Sequence, residues 1–177
     1  MESIDIKKTD KEKIVNTYAR YDLAVKQGKG AVCTSYDGKE YIDFTSGIGV
    51  NSLGFCDDGW VKAVTEQLNK LQHISNLFYT EPQVKAAELL TAKTGMSKVF
   101  FGNSGAEANE AAIKTARKYG SKVKGNSLNK IVTLVNSFHG RTMATITATG
   151  QDHYHQYFTP FVEGFAYCEP DNIQQFE

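Results

Sequence analysis

Cysteine is scarce in this chain, with three residues, Cys33, Cys56 and Cys168, far apart. An odd number without C-x-x-C spacing argues against a complete disulfide framework. Neither sign of charge is in excess: Lys+Arg and Asp+Glu both number 20, so no global field advertises a nucleic-acid or membrane partner. No segment approaches a membrane-spanning apolar run. The start, Met1-Glu2-Ser3-Ile4-Asp5-Ile6-Lys7-Lys8, lacks an apolar core and a cleavage pattern of a secretory leader. Internal repeats and low-complexity tracts are missing too. A reducing, cytoplasmic setting is the simplest expectation.

What is present is ordinary globular composition: 177 residues, 41% hydrophobic and 23% charged. Length alone suggests one domain, able to bury a core without metals or disulfides. Lys7, Lys8, Lys11 and Lys13, interrupted by Asp10 and Glu12, read as a solvated, frayed N-terminus. Residues 12–25 suit a short amphipathic helix or an irregular lead-in. A hairpin follows: Ala31 to Tyr36 is one strand, Asp37-Gly38 a type I′ turn pair, and Lys39 to Phe44 the return strand. The glycine-rich stretch Thr45 to Gly54 breaks any regular pattern.

Beyond Asp57 the period becomes helical. Trp60, Val61, Val64, Leu68 and Leu71 share a face, with Asp57 or Asp58 as N-cap. A second helix opens at Pro82 and stops at Gly95. Then come a short strand (Lys98 to Phe101), the turn Gly102-Asn103-Ser104-Gly105, an alanine-rich helix from Ala106 to Tyr119 closed by Gly120, and a β-branched strand from Lys130 to Val135. Residues 142–149 suit a short helix weakened by its threonines, and Gly164 to Cys168 a third strand. Pro170 to Glu177 reads as the opening of a helix. Alternating strands and helices predict an α/β layer fold with at least part of the sheet parallel. So small a sheet leaves an unpaired edge and uncovered apolar faces, and more protein is expected after Glu177.

Two loops have the residue types for chemistry. Gly102-Asn103-Ser104-Gly105-Ala106 joins a strand to a helix start, where free N–H groups and a partial positive charge attract anions. Gly105 leaves room for a phosphate and Ser104 adds a hydroxyl donor. The turn fits neither the Walker nor the dinucleotide pattern, and it serves equally as an ordinary N-cap. Ser137-Phe138-His139-Gly140-Arg141 also follows a strand, where open α/β sheets bind ligands. Phe138 offers a face for a heteroaromatic ring and Arg141 a fork for a carboxylate. His139 could act as a base, though a structural hydrogen-bonding role suits it as well; Arg141 could equally make a surface salt bridge. His153 and His155 would share a face of a strand, but no further ligands lie nearby for zinc, so no metal is expected. The aromatics Tyr154, Tyr157, Phe158 and Phe161 read as packing.

Phe100 to Lys114, followed by Ser137-Phe138-His139-Gly140-Arg141-Thr142, resembles the class III aminotransferases. The hairpin Asp37 to Phe44, the glycine-rich segment after it, and Ser75-Asn76-Leu77-Phe78-Tyr79-Thr80-Glu81-Pro82 match the same family. The resemblance spans nearly the whole chain and is strongest to the acetylornithine-specific members. One departure is local: the family commonly carries Gly-His-x-His-Pro where this chain has Gly54-Phe55-Cys56-Asp57-Asp58.

The resemblance implies a fold-type I architecture built around pyridoxal 5′-phosphate (PLP), truncated here. Residues 1–55 would be the N-terminal segment with the hairpin, and residues 56–177 the first part of the large mixed or parallel-sheet domain. Ser104, Gly105 and Ala106 would hold the cofactor phosphate. Phe138 would cover the ring, with His139 beside it in the cofactor-binding set. Arg141 would bind the α-carboxylate of acetylornithine or glutamate, and Ile48 would shape the substrate pocket. The implied reaction moves an amino group between N2-acetylornithine and 2-oxoglutarate in arginine biosynthesis, in a homodimer. The catalytic lysine that bonds PLP, and the aspartate at its ring nitrogen, have no match in this chain, so the 177 residues alone should not transaminate. Alternatives are another ω-amino donor (ornithine, succinylornithine or 4-aminobutyrate), a lyase or aminomutase on the same scaffold, or a non-catalytic phosphate-binding domain.

Overall fold

The computed structural model describes residues 3–125 and 129–176, which form two compact units, residues 1–78 and 79–177. The expected boundary after residue 55 falls inside the first unit, just ahead of its last helix. Glu177, the end of the expected terminal helix, lies outside the described residues.

The first unit opens with helix α1, Ser3–Lys13. The lysines expected in a frayed terminus are therefore helical. Lys7 Nζ bonds Asp22 Oδ1 at 2.7 Å and the Asp22 carbonyl at 3.0 Å, and Arg20 reaches Asp10 at 3.4 Å, so the lead-in is tied back to the helix. No helix forms over 12–25 beyond the end of α1. Instead a strand unseen in the sequence, β1 (Val25–Lys29), pairs antiparallel with β2 (Val32–Ser35). Its composition, Val-Lys-Gln-Gly-Lys, has no alternation to announce it; the ladder to β2 makes it a strand.

The hairpin is present, with β2 pairing antiparallel with β3 (Glu40–Ile42) and Cys33 opposite Tyr41. Its turn differs from expectation. A type I′ pair needs positive φ at both central residues, yet of Asp37 and Gly38 only Gly38 has it, at +86°. The Ser35 N–H donates to the Lys39 carbonyl at 2.9 Å, and the Gly38 N–H to the Ser35 carbonyl at 3.1 Å. Tyr36-Asp37-Gly38 is thus a three-residue loop with a left-handed glycine. Ser35 Oγ, buried, accepts the Lys39 N–H at 3.2 Å and selects the longer loop.

Helix α2, Asp58–Leu68, starts where the sequence put it: Asp57 Oδ1 accepts the Trp60 N–H at 2.8 Å. The departure from the family pattern is held by Lys29, whose Nζ donates to the Cys56 carbonyl at 2.7 Å and to Asp58 Oδ1 at 2.5 Å.

In the second unit α3, Glu81–Thr94, carries Pro82 in its first turn and ends on Gly95 in the left-handed region. Residues 98–101 are not a strand, because among the described residues no neighbour supplies a ladder. Helix α4, Gly105–Tyr119, does not stop at Gly120. That glycine keeps helical angles and the chain runs on through a π-helical turn, Gly120–Lys124, to Gly125 at φ +74°. Strand β4, Ile131–Leu134, pairs parallel with β5, Phe165–Cys168, with Ile131 opposite Phe165 and Leu134 opposite Cys168. Between them lie α5, Met143–Ala148, and α6, Asp152–His155; α7, Ile173–Phe176, follows β5. His153 and His155 therefore sit in a helical turn, not on one face of a strand. Their rings pack on Tyr154 and on Phe161, with centroids 4.0 and 4.7 Å apart. Among the described residues no group of three or more His, Cys, Asp or Glu could hold a metal ion, and no helix is long and apolar enough to cross a membrane.

The buried centre of this unit is Ile113 of α4, Ile146 and Ala148 of α5, and Cys168 of β5, with Thr145, Thr147 and Thr149. The threonines that weakened α5 on propensity bond its own carbonyls: Thr147 Oγ1 donates to Met143 at 2.7 Å and Thr149 Oγ1 to Thr145 at 2.9 Å. Their polar atoms are thereby satisfied in a dry interior.

Candidate functional site

At the start of α4, Ser104 is the N-cap, and its Oγ accepts the Glu107 N–H at 3.2 Å. The bond uses a lone pair and leaves the hydroxyl proton available to a ligand. Gly105 and Ala106, the next two positions, have no carbonyl a turn earlier to receive their N–H groups, and among the described residues no other acceptor takes them. A Cβ at Gly105 would meet nothing within 4 Å. The turn therefore offers two amides, a hydroxyl, open space and the positive end of a fifteen-residue helix.

The second loop comes directly onto this turn. Gly140 sits at φ +126°, and a Cβ there would lie 2.7 Å from both Ala106 Cβ and Thr145 Oγ1. Backbone thus packs on Ala106 at a distance no side chain would permit. The loop is held from three sides. Asn109 Nδ2 of α4 donates to the His139 carbonyl at 2.8 Å, and the His139 N–H donates to Thr149 Oγ1 at 3.0 Å. The Thr142 hydroxyl donates to Glu110 Oε1 at 2.6 Å while capping α5 in a reciprocal box with Thr145.

Around this frame Phe138 is half exposed, its ring tilted 55° against Tyr154 with centroids 5.3 Å apart. One side of the ring is backed by protein and much of the rest is open. His139 lines a cavity of about 260 Å³ with Asn109, Ile113, Thr133 and Ala148. Arg141 is exposed at the end of the loop. Ser104, Gly105, Ala106, Phe138, His139 and Arg141 are thus gathered around the α4 N-terminus in one unit. Ile48 belongs to the other unit, 95% exposed, in a left-handed turn at φ +59° between Gly47 and Gly49.

Several residues that frame these loops carried no expectation of a role there: Glu107, Asn109, Glu110 and Thr149; Tyr154, read as packing, does pack on Phe138. For Glu107 a signal existed. Ser104-x-x-Glu107 and Thr142-x-x-Thr145 have capping-box spacing. For Asn109 and Thr149 the partners are 30 and 10 residues away, and nothing local marks them.

Known proteins resemble this chain in sequence and in fold. The family model of the class-III aminotransferases matches residues 14–176. The acetylornithine aminotransferase of Haemophilus ducreyi is 51% identical over 177 residues, covering 100% of this chain and 45% of that protein. That of Methanocaldococcus jannaschii is 44% identical over 165 residues, covering 93% and 42%. Among solved structures, the ornithine aminotransferase of Toxoplasma gondii, crystallised with oxidised glutathione and carrying PLP at partial occupancy, superposes with a TM-score of 0.91 at 27% identity, covering 98% of this chain and 41% of that one. The chain spans less than half the length of these relatives.

Proposed function

The chain belongs to the class-III aminotransferases, and from that premise we propose that it is the N-terminal part of a PLP-dependent enzyme of arginine biosynthesis. In this reading the complete protein moves an amino group between N2-acetylornithine and 2-oxoglutarate, as a cytoplasmic homodimer. Residues 1–55 act as its N-terminal segment and residues 56–177 as the start of its large domain.

The carrying observation is the packing of Gly140 on Ala106, which brings a half-open aromatic ring and an arginine to a helix start whose first amides are unused. These residues fit PLP. The Gly105 and Ala106 amides and the Ser104 hydroxyl would bind its phosphate dianion. Phe138, backed by Tyr154, would lie against the ring and exclude water from that face. His139 contributes to the cofactor set through its backbone, both of whose groups are engaged in fixing the loop that presents Phe138. Arg141 would bind the α-carboxylate shared by acetylornithine and glutamate, and Ile48 would border the pocket for the remainder of the donor. When bound, PLP supplies the electron sink that renders the proton on the amino-bearing carbon labile. No lysine of this chain matches the family's cofactor-bonding motif, so a proton-moving amine is assigned to the remainder of the protein.

Steady-state kinetics of the complete protein on acetylornithine, ornithine, succinylornithine and 4-aminobutyrate, with 2-oxoglutarate as acceptor, test the reading. The highest kcat/KM is expected for acetylornithine. Preference for another of these amines would overturn the substrate assignment. Absence of transfer from all four would overturn the activity in favour of a lyase, an aminomutase or a non-catalytic phosphate-binding domain.

A further inference from the structure

Glu107 stands in the first turn of α4 but does not point its charge toward the open amides. Its Oε2 turns back and accepts two hydrogen bonds from Asn103, one from the backbone N–H at 2.6 Å and one from Nδ2 at 3.0 Å. Its own N–H goes to Ser104 Oγ at 3.2 Å. The carboxylate thus closes a ring of bonds one residue earlier than in the usual capping box, where the acid returns to the N-cap itself. Gly102 makes room for it: a Cβ there would lie 3.2 Å from Glu107 Cβ and 3.4 Å from Oε2. Asn103 and Ser104 are both exposed, so neither apolar packing nor burial holds this turn. The bonds to one carboxylate oxygen are what orders it, and charge-assisted bonds of 2.6 Å are the strong kind.

We infer that Glu107 is a positioning residue for the cofactor phosphate: by holding Asn103 it sets the Gly102–Ala106 turn so that the two free amides and the Ser104 hydroxyl converge on one anion. The inference rests on the PLP reading above. It also explains why an acid is tolerated beside a dianion. Its charge is engaged by two donors of Asn103 and favoured by the helix N-terminus.

The test is cofactor affinity in the complete protein, measured by fluorescence titration of the apoenzyme with PLP and, separately, with pyridoxal, which lacks the phosphate. Wild type is expected to bind PLP far more tightly than pyridoxal. Glu107→Ala should weaken PLP at least about tenfold and leave pyridoxal unchanged, since the loss of charge-assisted bonds is felt only where the phosphate sits. Glu107→Gln keeps an acceptor oxygen in place and should bind PLP within about threefold of wild type. Phe138→Ala should weaken both ligands alike. Unchanged PLP affinity in Glu107→Ala, or equal loss of PLP and pyridoxal, overturns the role of Glu107. Failure of Glu107→Gln to restore binding overturns it as well. If wild type does not distinguish PLP from pyridoxal, the phosphate reading of the turn is itself wrong, a result separate from the others.

Discussion

Gly140 carries more of the site than any charged residue in it. A methyl group there would enter the space of Ala106 Cβ and Thr145 Oγ1, each 2.7 Å away, and φ is +126°. Overpacking and backbone strain together predict that Gly140→Ala destabilises the complete protein by about 2–4 kcal/mol, read from urea unfolding. Under the proposed function it should also loosen PLP, because the loop that carries Phe138 can no longer seat on Ala106. Thr149 is fully buried and accepts the His139 N–H. Thr149→Val keeps the shape but orphans that donor and should cost about 1–3 kcal/mol in the same measurement. Under the proposed function, Arg141→Leu should raise KM for acetylornithine and glutamate roughly 10–100-fold through loss of a bidentate carboxylate contact.

At the scale of elements, helix ends do most of the placing. Asp57 caps α2, Ser104 caps α4 and Thr142 caps α5, each with its side-chain oxygen on an N–H three residues ahead. Asp57→Ala should lower stability by about 1 kcal/mol, a loss measurable as a shifted unfolding midpoint. The β4–β5 ladder is secured on one flank by Tyr167, whose hydroxyl donates to the Thr147 carbonyl of α5 at 2.5 Å. Burial, and secondarily the Asp152 charge, push the Tyr167 pKa above its ordinary 10.0. A folded pKa raised above the unfolded one means the contribution is fully present below pH 10 and is lost as pH rises through the folded value. Alkaline titration of unfolding should therefore show a decline above pH 10 that is smaller in Tyr167→Phe.

For the whole molecule, the described residues bury few large apolar side chains, while Phe44, Ile48, Val50, Leu77 and Tyr79 are almost wholly exposed. Exposed apolar sets of this kind mark surfaces that meet other protein. Under the proposed function, residues 1–177 supplied with PLP, acetylornithine and 2-oxoglutarate should form no glutamate, whereas the complete protein should; turnover by residues 1–177 alone would show that a lysine of this chain can serve. Much of the architecture was legible beforehand. The caps of α2 and α3, the hairpin strands, β4 and β5 all rest on near-neighbour rules, since a cap or a two-residue alternation is complete within a few positions. Both candidate loops stood out for the same reason: glycine, serine, an aromatic and arginine are types that announce themselves. The sequence by itself therefore determined the caps, the hairpin strands and the family to which the chain belongs. Tertiary structure alone decided that β1 is a strand, that residues 98–101 are not, that α4 runs past Gly120, and that Gly140 seats on Ala106. Each of those depends on a partner distant in the chain, and a ladder or a packed contact has no energy until that partner arrives.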